Sequence, residues 1–227
     1  NDGIIGESTV YNSSGYIGGA YTSLGNNAKA YINVSDSASL RPSSITFSLW
    51  VKGNGLPTTW MSPFSKTTSA FWDDGYGITN QGASQLNNFT FFLNSYSNAI
   101  PIGNMKIGEW THWVGTFNGT TMVTYTDGVL NTSKVYTTPI THSTGVLQIG
   151  NAKGVYSWNG SIDEVMIWNI ALNSTEVSAL YNNQTSRFFP TGTMNWTGVN
   201  FAGNDTINIT LAGCQQNMGS SLKASVN

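Results

Sequence analysis

The sequence predicts an all-β fold in which two antiparallel sheets pack face to face, as in a β-sandwich or jelly roll. Short alternations of apolar and polar residues recur roughly every ten to fifteen residues, and Gly, Asn and Asp separate them. A single segment has a helical pattern. The length of 227 residues suits one such domain, because β-sandwiches of this size often do not divide.

The strands follow from alternation and from turn residues. Residues 44–52 alternate over their whole length and form the clearest strand. Asn118-Gly119 and Asp127-Gly128 each predict a tight hairpin, because both central positions of a type I′ turn require positive φ. Further strands are predicted at residues 20–23, 30–34, 76–79, 89–93, 110–117, 122–126, 129–130 and 146–149.

One short helix is predicted near residues 174–182. Asn173 can cap its first turn and Glu176 can reach back to the backbone of Asn173, as in a capping box. Beyond the helix, residues 193–201, 206–211 and 222–226 read as additional C-terminal strands.

The composition excludes several classes of function. Charged residues make up 9% of the chain, the formal net charge is −2 and the pI is about 5.5, so no basic surface for nucleic acid is expected. No apolar run approaches the roughly 20 residues of a membrane span. Because Cys214 is the single cysteine, an internal disulfide framework and a cysteine-based metal cluster are also excluded.

Asn-x-Ser/Thr sequons are more frequent than the composition explains. Such acceptors lie on surface loops of exported proteins, and a glycan coat would supply the solubility that charges usually give. The sequence therefore predicts a secreted or cell-surface glycoprotein, the alternative being incidental matches in an Asn-rich chain. The predicted acceptors are Asn12, Asn33, Asn88, Asn118, Asn131, Asn159, Asn173, Asn183, Asn195, Asn204 and Asn208.

Catalysis is not expected. Glycoside hydrolysis requires two carboxylates that face one cleft, and no strand carries the alternating acids that would supply them. Asp73 and Asp74 are neighbours, so in a strand they would point to opposite faces. His112 lies two residues after Trp110 in a predicted strand and is interpreted as a packed structural histidine rather than as a catalytic base.

Several motifs in preserved order resemble the laminin-G-like, concanavalin A-like jelly-roll family. They are residues 18–21, 47–51, 108–114, 147–151 and 160–169, together with the two hairpins. The resemblance covers most of residues 1–184 and implies a jelly-roll domain over residues 1–185. Two departures are that the family's opening strand is missing and that Ser23-Leu24-Gly25 replaces a usual Phe-Asp-Gly, which removes a carboxylate.

Asp163 is the acidic residue on which a metal site would depend. Strand periodicity puts Asp163 on one face with Val165 and Ile167, and an ionised carboxylate in a core-facing row must be paired or bound to a cation. Related jelly rolls often hold a structural Ca²⁺ there, and the resemblance implies that backbone carbonyls of Gly25 and Asn26 join it. Hydrogen bonds from turn N–H groups are the alternative.

Aromatic residues in loops are the candidates for sugar binding, because sugar rings stack on exposed aromatic planes beside amides or carboxylates. The alternative is that these aromatic rings only cover the core. The predicted ligand-binding residues are Trp60, Trp72, Asp73, Asp74, Asn151 and Trp158.

The expected function is an extracellular, non-catalytic recognition or adhesion module whose partners are glycans or other cell-surface components. A structural subunit of a surface layer or filament, assembled by β-strand exchange between copies, is the alternative, and a glycoside hydrolase ranks third. Residues 186–227 either pack on the sandwich or on a neighbouring chain, or begin a following β-domain.

Overall fold

Two stacked antiparallel sheets form the molecule, as the sequence predicts. The computed structural model describes residues 2–23, 30–68, 72–80, 87–142 and 144–185, and the backbone alone of residues 81, 85–86, 186–188, 193–196 and 207–210. The strands are, in chain order, β1 (Gly3–Ile5), β2 (Thr9–Asn12), β3 (Ala20–Ser23), β4 (Ile32–Val34), β5 (Ile45–Gly53), β6 (Phe64–Lys66), β7 (Tyr76–Gln81), β8 (Gln85–Leu93), β9 (Ser95–Asn104), β10 (Thr111–Phe117), β11 (Thr121–Thr126), β12 (Val129–Val135), β13 (Leu147–Ile149), β14 (Gly160–Trp168), β15 (Thr193–Trp196) and β16 (Ile207–Thr210).

Each sheet of the sandwich has seven described strands. Sheet A has the order β1-β4-β13-β6-β7-β8-β9, and sheet B has the order β12-β11-β10-β5-β14-β3-β2. Strands β15 and β16 pair with each other and confirm two of the three predicted C-terminal strands, whereas residues 222–226 lie outside the described residues.

Aromatic side chains fill the space between the sheets. Phe47 of β5 stacks on Phe64 of β6 with ring centroids 5.1 Å apart, and Phe91 of β8 meets Phe47 edge to face at 4.9 Å. All three are fully buried, and each such side chain contributes about 1.5–3 kcal/mol of transfer free energy. The predicted alternation in β5 therefore does place one row of residues in the core.

The helix α1 (Ser174–Phe188) covers the outer face of sheet B. Its predicted cap is confirmed, because the amide of Glu176 donates to Asn173 Oδ1 at 3.0 Å and the amide of Asn173 donates to Glu176 Oε2 at 2.8 Å. The helix is longer than the predicted 174–182, since Gln184 is buried and its Oε1 accepts the indole N–H of Trp50 at 2.9 Å. This contact stabilises an additional helical turn, which the polar sequence of that segment does not predict. None of the helices in the described part of the chain is long and apolar enough to cross a membrane.

His112 lies beneath this helix and has the structural environment that the sequence predicts. Its ring stacks on Trp50 at 4.9 Å, and its Nε2 is 2.7 Å from the hydroxyl of Ser48. The ring is fully buried, and burial lowers the pKa of His112 to about 3. The imidazole is therefore neutral at physiological pH.

Candidate functional site

Aromatic side chains cluster on the outer face of sheet A, the face that points away from the core. Strand β8 alternates, so that Phe89 and Phe91 enter the core while Phe92 points outward. Phe92 is nevertheless fully buried, because Trp72 and Ala152 from two loops cover it. Gly77 of the neighbouring strand permits this packing, since a Cβ there would lie 2.9 Å from the Phe92 ring.

Trp72 is the base of this cluster. It has a left-handed backbone conformation with φ of 58°, and its carbonyl accepts the amide of Tyr96 at 3.1 Å. Its indole meets Phe92 at 5.2 Å and Tyr156 at 5.5 Å. Next to it, Asp74 accepts hydrogen bonds from Thr67 and Thr68, which fixes the loop that carries Trp72. Trp72 thus contacts Tyr156 through its indole and Tyr96 through its backbone carbonyl.

Three half-exposed rings extend this cluster. Trp60 and Tyr96 meet edge to face with centroids 5.2 Å apart, and Tyr156 lies against the Trp72 indole. We call Trp60, Trp72, Tyr96 and Tyr156 the aromatic patch. Burial raises the pKa of Tyr96, so its phenol is a neutral hydrogen-bond donor at physiological pH. The patch therefore offers aromatic faces beside phenolic hydroxyls on an open sheet face.

The predicted ligand-binding residues divide between surface and interior. Trp60 and Trp72 belong to the aromatic patch, although Trp72 is only 4% exposed; Asp73 is exposed and Asp74 is half-buried. Asn151 and Trp158 are both 0% exposed, so the expectation that they face a ligand is corrected. Asn151 Nδ2 donates to Ser157 Oγ at 2.9 Å, and Trp158 packs on Phe89 at 5.4 Å, because the segment that carries them turns into the core.

Sequence reasoning missed Tyr96 and Tyr156. It weighed tryptophans and acidic residues, whereas Tyr96 at the start of β9 and Tyr156 in a loop meet Trp72 only when that loop folds onto the outer face of sheet A. A signal was present in the sequence, since both tyrosines stand beside serine, Tyr96 between Ser95 and Ser97 and Tyr156 before Ser157.

A β-bulge changes the orientation of Asp163. Between Asp163 and Met166 the pairing of β14 with β5 shifts, and Glu164 has φ of 47°. Asp163 therefore pairs with Trp50 on the outer face, while Ile162 and Val165 face the core. The prediction that Asp163 shares a face with Val165 and Ile167 is wrong, because the extra residue inverts the alternation.

The Asp163 carboxylate anchors the loop of residues 15–19. Its Oδ2 accepts the amide of Ile17 at 2.9 Å and its Oδ1 accepts the amide of Glu164 at 2.8 Å. Burial raises the pKa of Asp163, and hydrogen bonds from the backbone of Ile17, Glu164 and Tyr16 oppose that rise. These contacts are the alternative that the sequence left open, in which turn N–H groups satisfy the carboxylate.

Among the described residues, backbone N–H groups contact the Asp163 carboxylate. Calcium takes six to eight oxygen ligands, but both carboxylate oxygens here face N–H donors. Within the described ranges, no three acidic, histidine or cysteine side chains group together. The predicted carbonyl donors Gly25 and Asn26 lie outside the described residues, so the calcium prediction depends on them.

Replacing Asp163 with Ala is expected to destabilise the fold without any involvement of metal. The variant leaves the buried amides of the 15–19 loop without their acceptor, and charge-assisted hydrogen bonds contribute about 1.5–3 kcal/mol each. We expect a loss of about 2–4 kcal/mol in urea unfolding measured in the presence of a chelator. Asp2→Ala, at an exposed carboxylate, is the matched control. A melting temperature of the unaltered protein that falls on chelation would instead support calcium.

The predicted glycan acceptors differ in their exposure. Asn118, Asn131, Asn173 and Asn183 are exposed, whereas Asn12, Asn33, Asn88 and Asn159 are half-buried. Asn195 and Asn208 lie in β15 and β16, whose backbone alone is described, and Asn204 lies outside the described residues. The exposed acceptors are on turns, on the edge strand β12 and on the helix.

The chain matches one family model over most of its length. The model Laminin_G_3, described as the concanavalin A-like lectin/glucanases superfamily, matches residues 25–178. A search of curated proteins finds no match.

Solved structures share the fold at low sequence identity. Domain 4 of AbnA, a GH43 extracellular arabinanase from Geobacillus stearothermophilus, in complex with arabinotriose, is 22% identical with a TM-score of 0.60, covering 78% of this chain and 82% of that chain. The binding domain of Paraclostridial Mosquitocidal Protein 1 is 16% identical with a TM-score of 0.62, covering 80% of this chain and 47% of that chain. The botulinum neurotoxin serotype G binding domain is 18% identical with a TM-score of 0.61, covering 82% and 47% respectively. These similarities show the fold.

Proposed function

The chain belongs to the concanavalin A-like lectin/glucanase superfamily, and on that premise we propose that it is an extracellular, non-catalytic module that binds carbohydrate through the aromatic patch. The observation that carries the proposal is the group of half-exposed rings on the outer face of sheet A, in which Tyr96 and Tyr156 contact buried Trp72 and Trp60 contacts Tyr96. Aromatic planes with adjacent hydroxyls suit a sugar, whose C–H face stacks while its hydroxyls form hydrogen bonds.

The related structures support a recognition role. The arabinanase domain was solved with arabinotriose bound, and both toxin matches are binding domains. The arabinanase is extracellular, in keeping with an extracellular location for this chain. The exposed sequons Asn118, Asn131 and Asn173 are proposed to carry glycans themselves.

The surroundings of the patch favour an uncharged glycan. Asp73 is exposed beside Trp72, and the chain as a whole has few cationic residues, with Lys and Arg numbering nine. The carboxylate of Asp73 would oppose the binding of an acidic sugar by charge repulsion. Neutral polysaccharides or oligosaccharides are therefore the proposed ligand class.

A glycan array followed by titration of the best ligand tests the proposal. Replacing Trp60, Tyr96 or Tyr156 singly with Ala is expected to weaken binding by about tenfold or more, since a stacked ring contributes roughly 0.5–1.5 kcal/mol beyond its buried area and 1.4 kcal/mol is tenfold. Because the rings are half-exposed, thermal stability should change little.

Trp110→Ala is the matched control. Trp110 is also half-exposed, but it lies near Tyr16 on the sheet B side, with Lys52 Nζ 4.9 Å from its ring centroid. Binding should be unaffected by this change. Equal loss from Trp110→Ala and from the patch variants would contradict the assignment of the site.

A structural role is the second candidate, and one observation favours it. Strands β1 and β2 are the edge strands on one side of the two sheets, and they expose Ile4, Ile5, Val10 and Tyr11, the last to 62%. Exposed apolar edges invite pairing with another chain. No binding anywhere on the array, together with filaments visible by electron microscopy, would favour this role over carbohydrate binding.

A further inference from the structure

A cavity of about 250 Å³ lies between the two sheets, apart from the aromatic patch on the outer face of sheet A. Ile32 of β4 and Ile149 of β13 line it from sheet A, and Ile162 and Val165 of β14 line it from sheet B. Ile149 and Val165 pack against the core yet stay half-exposed. The cavity is therefore an apolar space within the sandwich that solvent reaches.

Small residues create this space. Gly19, Ala30 and Gly150 line the cavity at positions where larger side chains would fill it. Gly150 has φ of 82°, a conformation that side chains rarely adopt, and a Cβ there would lie 3.9 Å from Ile162 Cδ1. Because protein interiors contain few voids larger than a water molecule, an opening of this size needs an occupant to restore normal packing.

Ser23 supplies a single hydrogen-bonding group to the cavity. Tyr21 of β3 pairs with Ile162, which faces the core, so Tyr21 and Ser23 are on the core-facing side of β3. Ser23 lines the cavity and is 5% exposed, and its Oγ has no hydrogen-bond partner among the described residues. On the opposite face of the same strand, Thr22 Oγ1 does have one, at 2.8 Å from Ser161 Oγ. A buried hydroxyl without a partner costs free energy, which a ligand oxygen would recover.

The charges around the cavity favour a neutral ligand. Asp163 and Glu164 line it, and none of its described lining residues is cationic, so an anion would be repelled. A cation would gain little, because both oxygens of the Asp163 carboxylate already accept backbone amides and the other walls are mainly apolar.

We propose that this cavity binds a neutral, mainly apolar small molecule with one hydroxyl or carbonyl group, which pairs with Ser23 Oγ. An apolar cavity of about 150 Å³ holds benzene, so one of about 250 Å³ holds about ten non-hydrogen atoms in proportion. Aromatic and terpenoid alcohols of that size belong to this chemical class. The site is independent of the proposed carbohydrate site, because the two share no residue.

Titration of the full chain with β-naphthol tests the proposal. Calorimetry should give a Kd below about 1 mM, and the methyl resonances of Ile32, Ile149 and Val165 should shift. Val165→Phe and Ile149→Phe each fill the cavity from one wall, so either should weaken binding by at least about tenfold without lowering the melting temperature. Val135→Phe, at an exposed valine on the opposite edge strand β12, is the matched control and should leave binding unchanged.

Two comparisons test the role of Ser23. Ser23→Ala should weaken the binding of β-naphthol by about threefold to tenfold and leave the binding of naphthalene, which lacks the hydroxyl, unchanged. The anion β-naphthoate should bind at least about tenfold more weakly than β-naphthol. Equal affinities for β-naphthol and β-naphthoate, or an equal effect of Ser23→Ala on β-naphthol and naphthalene, would contradict the assignment of the ligand class.

The aromatic patch is the other place where an aromatic probe could stack, and Trp60→Ala distinguishes the two sites. This variant should bind β-naphthol as the unaltered chain does. Loss of β-naphthol binding in Trp60→Ala, or affinity retained in both Val165→Phe and Ile149→Phe, would place the probe outside the cavity and overturn the proposal. The absence of binding to the unaltered chain at about 1 mM β-naphthol would overturn it as well.

Discussion

Lowering the pH from 7 to 5 is expected to destabilise the folded chain by about 2 kcal/mol through His112 alone. The pKa of this buried imidazole is about 3, against an ordinary value of 6.5. The unfolded chain therefore takes up a proton at a pH where the folded chain does not. The stabilisation that the neutral imidazole provides is fully present above pH 6.5. It is lost as the pH falls toward the folded-state pKa, where the cumulative loss of unfolding free energy reaches about 5 kcal/mol.

The carboxylates of Asp36 and Asp163 also change the dependence of folding stability on pH. Hydrogen bonds from Arg41 and Lys66 lower the pKa of Asp36, so its contribution is lost only below the ordinary carboxylate range. Burial raises the pKa of Asp163, which gives the opposite sign. The difference between a histidine variant and the unaltered protein therefore isolates the effect of His112.

His112→Gln should flatten the dependence of stability on pH. Glutamine keeps a polar group near the Ser48 hydroxyl but cannot become charged, so about 2 kcal/mol of difference between pH 7 and pH 5 should vanish. Urea unfolding at both values measures it. His142→Gln, at an exposed histidine, should keep most of the slope. If the slope survives in His112→Gln, the acid sensitivity arises elsewhere.

Trp158→Ala is expected to cost about 3–5 kcal/mol of stability. The ring is fully buried between Phe89 at 5.4 Å and Trp113 at 6.1 Å, so its removal leaves a large cavity. Denaturant unfolding should show a lower midpoint with an unchanged slope. Trp60→Ala, at a half-exposed ring of the aromatic patch, should cost less than about 1 kcal/mol and is the comparison.

Trp158→Phe refines the same experiment. The indole N–H of Trp158 is buried without an acceptor among the described residues, so replacing the indole with a phenyl ring removes an unsatisfied donor as well as volume. This variant should lose clearly less than Trp158→Ala. Equal losses from both variants would contradict a packing role, and loss of glycan binding at full stability would restore the predicted ligand-binding role.

The sheets could be predicted from local chemistry. Asp127 and Gly128 have φ of 52° and 76°, as the predicted type I′ turn requires, and β11 and β12 pair across them. At Asn118-Gly119 only Gly119 has positive φ, because the turn includes Thr120 and the Asn118 side chain accepts its amide. The turn residues therefore predict the position of both hairpins. They predict the type of turn correctly only at Asp127-Gly128.

The candidate site was less accessible to sequence reasoning. Alternation cannot reveal the bulge at Glu164, because one additional residue inverts every position beyond it. Nor can it distinguish Trp158 from Trp60, since both lie in predicted loops and only the folded chain buries one of them. The partners of Trp72 come from strands β8 and β9 and from the loop that carries Tyr156, which meet only after sheet A has formed.

The helix α1 and the aromatic patch lie on opposite outer faces of the sandwich. The helix blocks the outer face of sheet B, while the aromatic rings occupy the opposite exterior. The carboxyl end of the helix at Phe188 therefore lies on the side of the sandwich opposite the aromatic patch, so a partner can approach the patch without meeting the helix.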